Sequence, residues 1–146
     1  MKTAYFDTGV VSKWYVPEPN SPEALAIRSK FRTPVAFTPL HRLELAAAWH
    51  AKVHRGEVAL DAVQAALDDV ESDVTAGVLS SRTAHLDAAF ALAERLARRH
   101  GKAVGARSLD ILHVALALEL GETHFVTGDR RQATLASACA LKVTSL

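Results

Sequence analysis

Short apolar runs that suit β-strands alternate with longer helical segments along this chain, and aspartates stand where the two kinds of segment meet. Asp7 follows the extended run 3–6, and Asp129 closes the run 123–127 after one glycine. Strands that alternate with helices predict an α/β fold with a central parallel sheet. Ligands of such sheets bind beyond the carboxyl ends of the strands. Both aspartates are therefore expected at a ligand site.

The predicted boundaries follow from proline, glycine and capping residues. Proline at 17 and 19 ends the first helix, Ser21 and Ser108 are predicted helix N-caps, and Gly101 is a predicted C-terminal stop. With 146 residues, the chain is expected to form a single domain over 1–146. The predicted strands are 3–6, 34–38, 77–80, 123–127 and 141–144. The predicted helices are 8–16, 21–31, 39–55, 60–71, 83–99, 108–120 and 131–138.

Composition excludes several classes of protein. The formal net charge is +1, so any nucleic-acid preference must come from local patches. A single cysteine, Cys139, excludes an intrachain disulfide and a zinc site of several cysteines. The N-terminus lacks the apolar stretch of a signal peptide, and no apolar run approaches the roughly 20 residues that span a membrane. A cytoplasmic protein is the expectation.

Two further acids, Glu44 and Asp110, lie inside apolar helical segments and extend the set to four. An ionised carboxylate is costly to bury unless it is paired or binds a metal. Four such groups beside core-forming segments suggest a hard cation such as Mg²⁺, which prefers oxygen ligands and commonly acts on phosphates. Each acid also has a purely structural interpretation. Asp7 and Asp129 suit helix N-caps, Asp110 suits a helix dipole, and Glu44 could pair with His41 or Arg42.

Other polar residues could assist these acids. Thr8 could cap a helix or orient a water, Thr127 offers a hydroxyl to a carboxylate or a water, and His113 lies one helical turn after Asp110. Several cations near the proposed cleft could contact a phosphate backbone without reading its sequence. They are Lys13, Arg42, Arg107, Arg130 and Arg131.

Four segments together resemble the signature segments of PIN-domain ribonucleases, and most closely those of VapC-type toxins of type II toxin–antitoxin pairs. The segments are YFDTG at 5–9, PLHRLE at 39–44, LDILHVA at 109–115 and VTGD at 126–129. Each segment alone is a weak signal, whereas four in this order in a chain of this size are fairly specific. The resemblance spans nearly the whole chain.

The resemblance implies a three-layer α/β/α sandwich with a central parallel sheet and endonucleolytic cleavage of single-stranded RNA. It assigns Asp7, Glu44, Asp110 and Asp129 to catalysis with Mg²⁺ or Mn²⁺. Asp7, Asp110 and Asp129 are the metal ligands by this match, and Glu44 and Asp129 could act directly or through water. Thr127 takes the hydroxyl position that precedes the last acid by two residues.

The resemblance also implies partners, namely a cognate antitoxin protein and a second copy of the chain. The region of Trp14 and the helix from Ser21 are candidate homodimer surfaces. Three other interpretations remain open at this stage. The chain could be a non-catalytic PIN-like binding module or a haloacid-dehalogenase-like phosphatase, although the latter needs an acid where Gly9 stands. Asp7-Thr8-Gly9 also matches retroviral-type aspartic proteases, which are β-rich.

Overall fold

The computed structural model describes residues 2–83 and 85–146, which form five strands and seven helices. The strands are β1 (Tyr5–Phe6), β2 (Val35–Phe37), β3 (Leu79–Ser81), β4 (His124–Thr127) and β5 (Lys142–Ser145). The helices are α1 (Thr8–Tyr15), α2 (Ser21–Arg28), α3 (Pro39–His54), α4 (Leu60–Thr75), α5 (Leu86–Val104), α6 (Ser108–Glu119) and α7 (Arg130–Ala138). Among the described residues, no helix combines the length and apolar character that crossing a membrane requires.

All strand pairs of the described chain are parallel, which confirms the prediction from the alternating pattern. The strands β1, β4 and β5 pair in that order, and β2 pairs with β3. The two groups are neighbours, since β1 lies beside β2. In the first group, Phe6 of β1 is in register with Val126 of β4. The carboxyl ends of these two neighbouring strands therefore lie side by side.

Helices cover both faces of the sheet. Successive strand residues point to opposite faces, so each strand contributes side chains to both helical layers. Phe6 and Val126 join a core with residues of α1 to α4, whereas Tyr5 and Phe125 join a second core with residues of α5 to α7. Trp49 is fully buried in the first core, where its indole N–H donates to the hydroxyl of Ser12 at 2.8 Å. The expected three-layer α/β/α sandwich is confirmed.

The predicted N-caps at two helices are wrong by one residue. Ser21 is the first residue of α2 after Asn20, and its hydroxyl instead accepts from the backbone N–H of Glu18 at 2.8 Å. Ser108 likewise begins α6 after Arg107, which makes no side-chain capping bond. Serine satisfies backbone donors on either side of a helix start, so its presence marks the region of the start better than the exact residue.

Two helices run further than their sequence suggests. Gly101 lies inside α5, which ends instead at Gly105 in the left-handed conformation with φ 68°. Glycine inside a helix costs only about 1 kcal/mol, which packing of a long amphipathic helix readily offsets. The predicted start of this helix at 83 includes Ala84, which lies outside the described residues. Helix α4 continues to Thr75, past the predicted end at 71.

Candidate functional site

Two of the four acids begin helices directly after neighbouring strands. Asp7 is the N-cap of α1, and its Oδ2 accepts from the backbone N–H of Gly9 at 3.3 Å. Asp129 is the N-cap of α7, and its Oδ1 accepts from the backbone N–H of Gln132 at 2.8 Å. The capping interpretation of both aspartates is confirmed. Capping uses one oxygen of each carboxylate and leaves the other for a further ligand.

Glu44 is held by two side chains from other elements. Its Oε1 accepts from the hydroxyl of Thr8 at 2.8 Å and makes a short hydrogen bond with Nε2 of His113. The hydroxyl of Tyr5 lies 2.6 Å from the other ring nitrogen of His113. Because Nε2 donates to a carboxylate, Nδ1 is the acceptor of the tyrosine proton. These hydrogen bonds therefore fix the orientation of the Glu44 carboxylate.

The structural alternative in which Glu44 pairs with His41 or Arg42 is wrong. Arg42 pairs with Glu71 of α4 and stacks 5.0 Å from the centre of the Phe37 ring. His41 is fully buried, and its Nε2 donates to the carbonyl of Phe6 at 2.8 Å. Neither side chain bonds Glu44, because both point from α3 toward other elements.

His41 fixes the start of α3 against the sheet. Its Nδ1 accepts from the backbone N–H of Thr38 at 3.0 Å, while its Nε2 holds β1 through Phe6. Burial disfavours the charged ring, the nearby His113 adds to this effect, and together they lower the pKa of His41 to about 3. A neutral His41 can accept at one nitrogen and donate at the other. It thereby sets the position of Glu44, three residues along α3.

Gln132 connects three of the four acidic segments, and sequence analysis missed it. Its side chain is fully buried on α7. Its Nε2 donates to Oδ1 of Asp7 at 3.4 Å and to the carbonyl of Asp110 at 3.1 Å, and its Oε1 accepts from the hydroxyl of Thr127 at 2.6 Å. Thr127 thus reaches the acids through Gln132. Of the two partners that the sequence suggested for its hydroxyl, a carboxylate or a water, the direct bond to a carboxylate is wrong.

Charge accumulates among these acids and changes their pKa values. Burial raises the pKa of Asp7 against the opposing effects of His113 and Gln132. Burial also raises the pKa of Asp110, and the carboxylates of Asp129 and Asp7 raise it further. Burial opposes ionisation of Glu44 too, but the hydrogen bonds from His113 and Thr8 outweigh it and lower the pKa. At Asp7 and Asp110, burial and neighbouring carboxylates therefore outweigh the interactions that favour the ionised form.

Two adjoining depressions bring the four acids into one region. Asp7, Glu44 and Asp110 line an open cleft of about 580 Å³. Asp110 and Asp129 line the neighbouring depression together with Arg107, Arg130 and Arg131. Lys13 lines the cleft of Asp7. The cations suggested by the sequence thus flank the acids, apart from Arg42.

The donor chemistry of this region suits a hard divalent cation. Within 2–83 and 85–146, no three His, Cys, Asp or Glu side chains form a ready-made ligand group. Mg²⁺ does not need such a group, since it keeps several waters and takes one or two carboxylates together with substrate phosphates. Asp7 and Asp110 supply two oxygen donors whose charges repel each other. A bound cation would relieve that repulsion.

Removing the Asp7 charge is expected to stabilise the metal-free protein in a pH-dependent way. A carboxyl whose pKa is raised on folding lowers the free energy of unfolding as the pH rises. The loss begins near the ordinary pKa, 3.8 for aspartate, and is complete above the pKa in the folded protein. Asp7→Asn cannot titrate and keeps the capping oxygen. Its melting temperature should match that of the wild type below pH 3.8 and exceed it by a few degrees at pH 7. A difference that is constant with pH in thermal melts would contradict this.

The chain belongs to the PIN domain family, whose model matches residues 4–138. PIN domains are generally nucleases, and family membership therefore favours a nuclease over the protease and phosphatase interpretations. The fold is similar to the crystal structure of FitAcB from Neisseria gonorrhoeae, with a TM-score of 0.65 and 18% sequence identity over 98% of this chain and 97% of that chain. At this identity the likeness concerns the fold. No curated protein is significantly similar in sequence.

Proposed function

We propose that this protein is a Mg²⁺- or Mn²⁺-dependent endoribonuclease that acts in the cytoplasm as the toxin of a toxin–antitoxin pair. The observation that carries the proposal is the cleft lined by Asp7, Glu44 and Asp110, which three separate elements deliver to the carboxyl ends of β1 and β4. Asp129 and Asp110 together line the adjoining depression. Acids so placed suit phosphodiester hydrolysis better than a structural role in the core.

Each acid has a distinct part in this proposal. Asp7 and Asp110 would hold the cation, and Asp129 would act on it directly or through a water. When bound, such an ion lowers the pKa of a water ligand and offsets charge on the phosphate. Both bonds described for Glu44 use Oε1, so its Oε2 can accept from a water in the cleft. Thr8 and His113 would keep Glu44 in that orientation, which suits it to guide the attacking water.

The flanking cations would bind the RNA backbone. Arg107, Arg130 and Arg131 surround the depression that Asp110 and Asp129 share, and Lys13 lies in the cleft of Asp7. A strand that crosses the acids would meet positive charge on both sides. Such contacts position a phosphate backbone without selecting bases. Arg42 has a smaller part in this proposal, because Glu71 already pairs with it.

A cognate antitoxin is part of the proposal, because a ribonuclease that acts as a toxin must be blocked in its host cell. Clustered negative charge at Asp7 and Asp110 would attract an arginine or lysine from such a partner. A homodimer is also proposed from the resemblance. Trp14 is partly buried beneath Arg28, whereas large apolar side chains are exposed elsewhere, including Leu43 at 66% and Phe90 at 60%. The apolar surface of α3 and α5 is therefore as good a candidate for dimer contacts as the region of Trp14.

A non-catalytic PIN-like binding module is the second candidate. The capping bonds of Asp7 and Asp129 favour it, because local helix stability alone would account for both residues. Capping does not account for Glu44, which is joined to His113 and Thr8 at the wall of an open cleft. Cleavage separates the two candidates.

The test is incubation of the protein, freed of any bound partner, with a mixed cellular RNA pool. Parallel reactions contain Mg²⁺, Mn²⁺ or a chelator. We expect discrete fragments with either metal and intact RNA with the chelator. Intact RNA in both metals, from a protein whose melting curve shows a folded domain, would favour the binding module. Sequencing the fragment ends would identify the RNA and the cut site.

A further inference from the structure

Two lysines from different helices share one carboxylate at the edge of the acidic cleft. Nζ of Lys13 on α1 lies 3.0 Å from Oε2 of Glu18, and Nζ of Lys52 on α3 lies 3.1 Å from Oε1 of the same residue. The lysine side chains are 18% and 22% exposed, so both are largely covered yet reach solvent. All three residues line the cleft that Asp7 and Glu44 also line.

The carboxylate between the lysines is held by its backbone. Glu18 stands between Pro17 and Pro19, each of which fixes its own backbone angle φ. Its N–H donates to the hydroxyl of Ser21 at 2.8 Å, and its carbonyl accepts from the N–H of Ser21 at 2.9 Å. A flexible ammonium group loses much rotamer freedom when it binds a ligand. The ion pairs with Glu18 already restrict the rotamers of both lysines. Binding of a ligand to them therefore costs less side-chain entropy.

The charge of this group differs from that of the surface ion pairs. Arg55 with Glu57, and Arg98 with Glu94, are one-to-one pairs that leave no net charge. Here two ammonium groups face one carboxylate, and the remaining charge is positive. The hydrogen bonds from Lys13 and Lys52 outweigh the effect of burial and lower the pKa of Glu18, which therefore stays ionised between them. Each ammonium has three donors. Lys13 also donates to the carbonyl of Gly9 at 3.3 Å, so Lys13 keeps one N–H group and Lys52 keeps two for an anion.

We propose that Lys13 and Lys52, arranged by Glu18, form a phosphate-binding subsite for the nucleotide next to the scissile phosphate. This inference rests on the proposed nuclease function and adds Lys52 and Glu18 to it. An RNA strand that lies over Asp7 and Asp110 would continue onto the lysines on one side and onto Arg107 and Arg130 on the other. The substrate is then a single strand with phosphates on both sides of the cut. An acidic segment of a protein partner is the competing occupant.

The test measures the salt dependence of RNA binding. A fluorescein-labelled, random-sequence 20-nucleotide single-stranded RNA is titrated with protein in Ca²⁺, and its integrity is checked afterwards. Lys13→Gln with Lys52→Gln should reduce the slope of log affinity against log salt by about 1.4, which corresponds to two lost phosphate contacts. The matched control is Lys30→Gln with Lys142→Gln, two exposed lysines that line neither depression. It carries the same charge change, and its slope should stay near that of the wild type.

Further variants and cleavage assays separate the possible outcomes. Lys52→Arg keeps the charge and should retain the wild-type slope, and thermal melts confirm that each variant is folded. Equal slopes for the double variant and its control would overturn the subsite, and an acidic partner would then be the better occupant. If the wild type still cleaves the RNA pool in that case, the nuclease function stands. If the lysine variants reduce the slope but the wild type cleaves nothing, Lys13 and Lys52 bind phosphate in a binding module, and both the nuclease function and the place of the subsite beside a scissile phosphate fail.

Discussion

Asp7→Asn is expected to reduce RNA cleavage by about 10³-fold or more. A bound divalent cation contributes several kcal/mol to the transition state, and each 1.36 kcal/mol is a tenfold change in rate. Asparagine keeps one oxygen, which can still cap α1, and it loses only the long bond from Gln132 at 3.4 Å, so the fold should persist. The measurement is single-turnover cleavage of an RNA that the wild type cuts, at saturating Mg²⁺.

The matched control for this variant is Asp68→Asn, which makes the same chemical change on the exposed surface of α4. Its cleavage rate should stay within about twofold of the wild-type rate. The stability of Asp7→Asn should rise at neutral pH while its activity falls, because the charge that burial disfavours in the metal-free protein is also the functional group. A cleavage rate for Asp7→Asn within tenfold of the wild type would remove Asp7 from the metal site.

Gln132→Leu is expected to lower cleavage by about 10- to 100-fold and to raise the Mg²⁺ concentration needed for half-maximal rate. Residues that orient metal ligands typically have effects of this size. The variant leaves the carbonyl of Asp110 and the hydroxyl of Thr127 without their partner, which should also cost about 1–3 kcal/mol of unfolding free energy. Metal titrations of the cleavage rate and urea unfolding measure the two effects separately.

Gln64→Leu is the control, because it makes the same substitution at an exposed position of α4. Gln132→Glu adds a second measurement. Glutamate still offers an acceptor to Thr127, but it removes both donors and places a further negative charge in a buried position beside Asp7. The metal-free variant should therefore be less stable than the wild type, and added Mg²⁺ should restore part of the lost stability. A Gln132→Leu protein with reduced stability but an unchanged metal requirement would show that Gln132 supports only the fold.

The sequence predicted the parts of the fold that depend on local pattern. Apolar runs that end at Asp7 and Asp129 placed both residues at strand ends, and the parallel sheet then brought them together. Helix ends were less accurate, because Gly101 continues a helix that the sequence suggested it would end. A stop signal in sequence competes with packing of the whole helix face, which only the assembled core decides.

The contacts between distant segments could not be predicted. Gln132 is separated from Asp7 by 125 residues and from Asp110 by 22, so nothing near it in sequence shows that it joins them. Its position three residues after the capping Asp129 was the available signal, because a glutamine there often belongs to a capping motif. The sequence did not predict a place for Lys52 near the site for the same reason, since its partner Glu18 lies 34 residues earlier.

The direction in which side chains of one helix point could also not be predicted from the sequence. Arg42 and Glu44 are two residues apart on α3, so they point to different sides of the helix. Glu44 faces the cleft through Thr8 and His113, while Arg42 turns to Glu71 of α4. The sequence placed both near the site because it gives their spacing along the chain but not the rotation of the helix.

A metal site formed by Asp7 and Asp110 is tested most directly by an anomalous difference map from crystals of the protein soaked in Mn²⁺. We expect a peak about 2.0–2.3 Å from carboxylate oxygens of Asp7 and Asp110 in the wild type, and its loss in Asp7→Asn. A peak bound elsewhere in a protein that still cleaves RNA would contradict the account, because the reaction would then use a metal site other than the one these acids form.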